Sequence, residues 1–136
     1  MTAPCALVID DSAAIRLILT RILVEMGWEV IQAEDGQAAL DMLSAHPATR
    51  LALVDWNMPV MNGLDFVRAV RAESRWDDLI LMMVTTEAEP ENIIAALEAG
   101  ANEYVMKPFT RDVLTDKLEW LGFTTGPAVG ADADAL

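Results

Sequence analysis

Short apolar runs alternate with longer amphipathic stretches five times along the chain, without an internal sequence repeat, and this predicts five successive βα units. Strands are expected at Ala6–Ile9, Glu29–Ala33, Leu51–Val54, Leu79–Val84 and Glu103–Met106. Most are near-continuous Val, Ile, Leu and Met, as strands buried on both faces require. In the first helix Ala14, Ile15, Ile18, Leu19, Ile22, Leu23 and Met26 are expected on one stripe, with Arg16, Arg21 and Glu25 pointing away and Ser12 as N-cap. The remaining helices are expected at Gly36–Ala45, Gly63–Glu73, Glu91–Ala99 and Thr110–Leu121. Pro90 stands where a first-turn proline is tolerated and Gly100 where a C-cap glycine belongs. Five such units imply an α/β fold with a doubly wound parallel sheet.

Composition narrows the class. The 136 residues suit one domain, and a hydrophobic content of 54% supplies a sizeable core. Nine Lys and Arg against 22 Asp and Glu give a net charge of −13, which repels phosphate backbones and anionic lipid surfaces, so neither nucleic acid nor membrane is expected as a partner. Cys5 is the only cysteine, which forbids an intrachain disulfide and suits a reducing compartment. The longest strictly apolar run, Leu79 to Val84, is far shorter than the ~18 residues of a membrane span, and no basic-then-apolar leader opens the sequence. The expectation is a soluble cytoplasmic protein. Residues 124–136 are small, Gly/Ala/Asp-rich and without period, and a disordered C-terminal tail with no output domain behind it is expected there.

In open parallel sheets, ligands bind at the carboxyl ends of the strands. Four of the five strand ends carry polar chemistry: Asp10 and Asp11 after the first, Asp55 after the third, Thr85 and Thr86 after the fourth, Lys107 and Pro108 after the fifth. Two carboxylates ~4 Å apart repel by about 4 kcal/mol at an effective dielectric of ~20, roughly three pKa units, so bare clustering would force protonation. Cations must offset that cost. Lys107 is one of two lysines, with Lys117, and a hard divalent ion supplies the rest. Oxygen donors with no Cys or His nearby favour Mg²⁺ over zinc, and such a site suits phosphoryl transfer. Singly, an Asp after a strand is often a helix cap, Thr85 a turn residue and Lys107 a solvated charge. Bland surface chemistry does not predict their ordered combination.

With these residues in place, the sequence resembles the receiver domain of two-component response regulators, most nearly the single-domain chemotaxis regulators of the CheY type. The resemblance covers roughly residues 5–123. It rests on Asp10-Asp11, on Asp55-Trp56-Asn57-Met58-Pro59 with Gly63, on Thr85, on Glu91-Asn92-Ile93-Ile94-Ala95-Ala96, and on Tyr104-Val105-Met106-Lys107-Pro108-Phe109-Thr110. It implies a flavodoxin-like strand order 2-1-3-4-5 and a receiver domain over residues 1–123. By the resemblance Asp55 is the phosphoacceptor. Asp10, Asp11, Asp55 and the backbone carbonyl of Asn57 are Mg²⁺ ligands, Asp10 through water, while Thr85 and Lys107 hold the phosphoryl oxygens and Lys107-Pro108 is a cis peptide. Thr85 and Tyr104 form the switch. Asn57 and Glu87 orient the water that hydrolyses the acyl phosphate, and a labile phosphoryl group follows.

The function so implied is a stand-alone phosphorylation-dependent response regulator in flagellar chemotaxis, a signalling switch rather than an enzyme. It would be a monomer that takes a phosphoryl group from a histidine kinase and binds the flagellar motor switch, or a comparable target, through the face formed by the fourth helix, fifth strand and fifth helix. A phosphatase is a further partner. Glu87, Glu89 and Glu91 stand where enteric relatives carry basic residues, and Thr86 where alanine is common. One alternative is a phosphate sink or relay receiver without its own output. Another is a Mg²⁺-dependent aspartate-nucleophile phosphatase, against which Asp10-Asp11-Ser12-Ala13 lacks an acid two positions past the nucleophile. A flavin-binding module would want a neutral, hydroxyl-rich loop where Asp10 and Asp11 stand. Trp56 is expected to report on the site and Trp28, Trp76 and Trp120 to pack, with exposure of Trp120 on the output face as the alternative, and His46 is expected to be solvated.

Overall fold

A computed structural model describes residues 3–123, so the expectation for the tail at 124–136 lies outside the described residues. Five strands, β1 (Cys5–Ile9), β2 (Glu29–Ala33), β3 (Thr49–Val54), β4 (Ile80–Thr85) and β5 (Glu103–Met106), alternate with five helices. The helices are α1 (Ala13–Glu25), α2 (Gly36–Ala45), α3 (Gly63–Arg71), α4 (Pro90–Ala99) and α5 (Arg111–Trp120). All strand pairs are parallel, as the alternating pattern implied, and the order is β2-β1-β3-β4-β5, as the resemblance implied. Because β1 lies between β2 and β3, successive crossovers leave it toward opposite faces, which opens a crevice beyond its carboxyl end.

The apolar strands explain the layering. Leu7, Ile9, Ala52, Val54, Leu81 and Met83 face one layer, packed against α2, α3 and α4 with Phe66 and Val70 at its centre. The alternate residues Ala6, Val8, Leu51, Leu53, Met82 and Val84 face α1 and α5, which contribute Leu19, Leu23, Leu114 and Leu118. Each large side chain so buried contributes about 1.5–3 kcal/mol. Trp28 and Trp76 are buried as expected, whereas Trp120, the last residue of α5 and expected to pack with them, is 80% exposed. Among the described residues no helix is long and apolar enough to cross a membrane.

The structure corrects the periodicity in several places. Ala14 and Ile18, assigned to the apolar stripe of α1, are exposed, while Arg16 is drawn back onto the sheet edge instead of pointing away. Helix α3 stops at Arg71, and a 3-10 turn at Ser74–Trp76 follows that the hydrophobic pattern does not announce. Its cause is Arg71, whose guanidinium donates to the carbonyls of Trp76 (2.7 Å), Leu79 (2.7 Å) and Gly100 (3.0 Å). Gly100, at φ +121°, leaves room for that side chain; a Cβ there would lie 2.6 Å from Arg71 Cγ. Strand β4 begins one residue late because the Leu79 amide is taken by Trp76 O. Thr110 caps α5 by accepting from the Val113 amide, so it is not a helical residue. His46 is half-buried at the C-cap of α2, its Nδ1 3.0 Å from Met42 O.

Candidate functional site

The carboxyl ends of β1, β3, β4 and β5 deliver Asp10, Asp55, Thr85 and Lys107 to one place. Asp10 and Asp55 are 1% and 5% exposed and Thr85 is fully buried, so this is a desolvated corner rather than a surface cluster. Lys107 Nζ lies 2.6 Å from Asp10 Oδ2 and 3.7 Å from Asp55 Oδ2, bridging both carboxylates. The Lys107-Pro108 peptide is cis, in agreement with the resemblance. Asp11 is exposed at the rim, and one carboxylate oxygen each from Asp10, Asp11 and Asp55 lies within 4.8 Å of the others. The rim opens into a cleft of about 520 Å³ lined by Asp11, Trp56, Asn57, Met58, Pro59 and Asn62.

Local backbone devices fix these positions. The Ser12 amide donates to Asp10 Oδ1 at 2.9 Å, and Ser12 Oγ in turn caps α1 by accepting from the Ile15 amide. After β3 the chain doubles back at once: the Gly63 amide donates to Trp56 O at 2.9 Å, and a Cβ on Gly63 would lie 2.2 Å from Asp55 O. Only glycine fits there. The same loop holds Val60 at φ 66°, a left-handed conformation rare for a β-branched residue.

Electrostatically the cluster is short of positive charge. Burial pushes the Asp55 carboxyl above the ordinary aspartate value; the Thr85 hydroxyl draws it back, Asp10 raises it again, and Lys107 and the Asn57 amide lower it. These favourable groups act from beyond a formed hydrogen bond, for Asp55 Oδ1 is buried with no hydrogen-bond partner among the described residues. A buried, unpaired carboxylate oxygen beside two further carboxylates is a donor set of hard oxygens, and it fits a small divalent cation such as Mg²⁺.

Two other predicted residues lie slightly apart. The Glu87 amide donates to Thr85 Oγ1 at 3.2 Å, while its carboxylate accepts from Asn92 Nδ2 (3.1 Å) and the Glu89 amide (3.2 Å), at the start of α4. The Tyr104 hydroxyl donates to Glu87 O at 2.7 Å, and burial, followed by Glu87 and Asp55, pushes its pKa up to about 12. The hydroxyl therefore stays a donor throughout the physiological range. Sequence reasoning missed Arg16, whose Nη1 donates to Asp10 O at 2.6 Å and whose Nε donates to Gln32 Oε1 at 3.0 Å. Its spacing placed it on the solvent face of α1, and nothing in a helical pattern signals that a long side chain folds back over the preceding turn.

Comparison with known proteins agrees with this geometry. The family model described as response regulator receiver domain matches residues 6–119. Chemotaxis protein CheY1 of Helicobacter pylori is 46% identical over 114 residues, covering 83% of this chain and 92% of that one. The chemotaxis protein CheY homolog of Campylobacter jejuni is 44% identical over 126 residues, covering 92% and 96%. Among solved structures, chemotaxis response regulator CheY4 of Vibrio cholerae superposes with a TM-score of 0.81 at 35% identity, covering 88% of this chain and 99% of that one.

Proposed function

The chain belongs to the response regulator receiver domain family, and from that premise we propose that it is a chemotaxis switch whose Asp55 accepts a phosphoryl group from a histidine kinase. Residues 1–123 are the receiver domain in this reading and 124–136 its tail. The observation that carries the assignment is the buried Asp55 carboxylate, whose Oδ1 has no hydrogen-bond partner among the described residues and whose Oδ2 lies 3.7 Å from Lys107 Nζ. An aspartate carboxylate is a weak nucleophile, so transfer depends on positioning and on neutralising charge that spreads over the three equatorial oxygens of the moving group.

Asp10, Asp11, Asp55 and the Asn57 carbonyl would hold Mg²⁺, which supplies charge neutralisation at the phosphoryl oxygens. Lys107 supplies the complementary positive charge from the β5 side and is already within reach of both buried carboxylates. The Thr85 hydroxyl, which accepts from the Glu87 amide and still has its own proton to give, donates to a phosphoryl oxygen, and its displacement toward that oxygen pulls on the Glu87 amide. Since Tyr104 donates to the carbonyl of that same Glu87, the displacement reaches β5 and the face formed by α4, β5 and α5. Target binding there, to the flagellar motor switch or a comparable protein, is how the state is read. Asn57 and Glu87 orient the water that later removes the group, so the signal is short-lived.

Incubation with acetyl phosphate and Mg²⁺, followed by intact-mass measurement, tests the acceptor. Wild type is expected to gain one phosphoryl group and Asp55→Asn none; an equal gain in both overturns the assignment. Phosphorylation is expected to alter amide exchange at residues 88–121, and unchanged exchange there refutes the output face.

A further inference from the structure

Asp11 presents the least restrained carboxylate of the acidic group. It is exposed, and its side chain has no hydrogen bond or ion pair among the described residues. Its direction is therefore set by the backbone that carries it, the peptide joining Asp10 to Asp11. That peptide lies just past the end of both β1 ladders, which stop at the pairings of Ile9 with Ala33 and of Ile9 with Val54. The Asp10 amide is still held, by Ala33 O at 3.1 Å, but the Asp10 carbonyl is beyond the reach of either ladder. Arg16 Nη1 satisfies it at 2.6 Å, and the guanidinium is itself fixed by Nε donating to Gln32 Oε1, one residue before the end of β2.

We infer that Arg16 is a positioning residue, a clamp from the first turn of α1 that fixes the Asp10–Asp11 peptide and so aims the Asp11 carboxylate at the divalent-cation site, with Gln32 locking the clamp. This inference rests on the receiver reading of the site. Guanidinium suits the task because its planar fork reaches two acceptors in fixed relative directions, one on the loop and one on β2; an ammonium offers a compact charge without that geometry. Side chains that orient ligands without touching the metal typically change metal affinity by ~10–100-fold when removed.

Charge and positioning predict opposite signs, which separates them. Arg16 is a cation near an acidic cluster, so if it acted by charge alone its removal would tighten binding of a divalent cation. Loss of positioning weakens it. Mg²⁺ is titrated into wild type, Arg16→Ala, Arg16→Lys, Gln32→Ala and Asp11→Asn, with Trp56 fluorescence as readout because Trp56 lines the same cleft as Asp11. Isothermal calorimetry gives an independent measure, and thermal melts without Mg²⁺ are run beside both. Arg16→Ala is expected to weaken Mg²⁺ affinity about 10-fold or more, Arg16→Lys by a substantial part of that although the charge is kept, and Gln32→Ala about 2–5-fold. Should Arg16→Ala melt too low to titrate, Arg16→Lys and Gln32→Ala carry the test. Affinity unchanged or tightened in Arg16→Ala and unchanged in Arg16→Lys and Gln32→Ala overturns the inference while leaving the receiver reading intact, provided wild type binds and Asp11→Asn does not. Wild type that fails to bind Mg²⁺ overturns the metal site itself, and the inference with it.

Discussion

Replacing Lys107 by Met removes the only ammonium that touches Asp10 and Asp55 among the described residues and leaves two desolvated carboxylates facing each other. The contact distances are 2.6 and 3.7 Å, and at an effective dielectric of ~20 they correspond to attractions of about 6 and 4.5 kcal/mol. Those values overstate the loss, because the variant has a cheaper escape. One carboxyl can take up a proton, and holding an ordinary carboxyl protonated at pH 7 costs about 4 kcal/mol. The smaller figure wins, so Lys107→Met is expected to lose about 3–4 kcal/mol at pH 7 in EDTA, in line with the usual cost of breaking a buried pair. For a chain of this size that is a fall of roughly 10–16 °C in Tm. Because proton uptake limits the loss, the deficit must shrink as pH falls toward 4, where protons are freely available. Thermal melts of both proteins in EDTA from pH 4 to 8 measure it. A deficit below about 1 kcal/mol at pH 7, or one that stays constant across the range, refutes the reasoning.

Three further outcomes are expected. Asp55→Asn should stabilise the metal-free protein at pH 7: a folded-state pKa raised by burial means the native state binds the proton more tightly than the unfolded chain, so stability falls as pH rises from the unfolded value toward the folded one and the cost is fully present above it. The gain should vanish below about pH 4, and melts in EDTA showing a gain that grows on acidification would contradict it. Gly63→Ala forces a Cβ to within 2.2 Å of Asp55 O, so it should cost at least about 1–3 kcal/mol in urea unfolding and reduce phosphorylation by displacing the acceptor; a neutral substitution defeats that account. Val60→Gly should raise stability by about 0.5–1 kcal/mol, since relief of a left-handed β-branched residue, 84% exposed and so losing little packing, exceeds the entropy glycine adds to the unfolded chain. A loss of stability in urea would show that φ 66° is not strained there.

Much of this site was legible because a parallel sheet turns sequence order into spatial order. Each strand is an apolar run, and the first polar residue after it must lie at the carboxyl edge, so Asp10, Asp55, Thr85 and Lys107 could be placed together without knowing a single distance. Residues whose role depends on side-chain reach were not legible. Arg16 and Arg71 both lie on helices where spacing assigns a direction to Cβ, yet each guanidinium acts four or more bonds beyond it, on carbonyls that no helical wheel contains. Ala14 and Ile18 failed the opposite way: both were placed on the apolar stripe yet are exposed, because α1 covers the sheet with one face only and its apolar residues extend beyond that face. The 3-10 turn at Ser74–Trp76 was silent because Arg71 holds it from outside the segment.

The relative sizes of the energies indicate how a charge at Asp55 could govern a surface some residues away. Tyr104 is tied to Glu87 O by one hydrogen bond of 2.7 Å, and the Thr85 hydroxyl is tied to the Glu87 amide by another of 3.2 Å. Each such bond has a net worth of only about 0.5–1.5 kcal/mol. A phosphoryl group on Asp55 would add up to two negative charges within the same desolvated corner, where single charge contacts at the observed distances are worth several kcal/mol. A hydrogen bond to a charged group is worth about 1.5–3 kcal/mol net, so one from the Thr85 hydroxyl to that phosphoryl group exceeds either holding bond by a factor of about two. A latch made instead from a buried ion pair would resist the change it has to report, whereas two neutral hydrogen bonds sharing one residue yield together, and Glu87 is the residue they share.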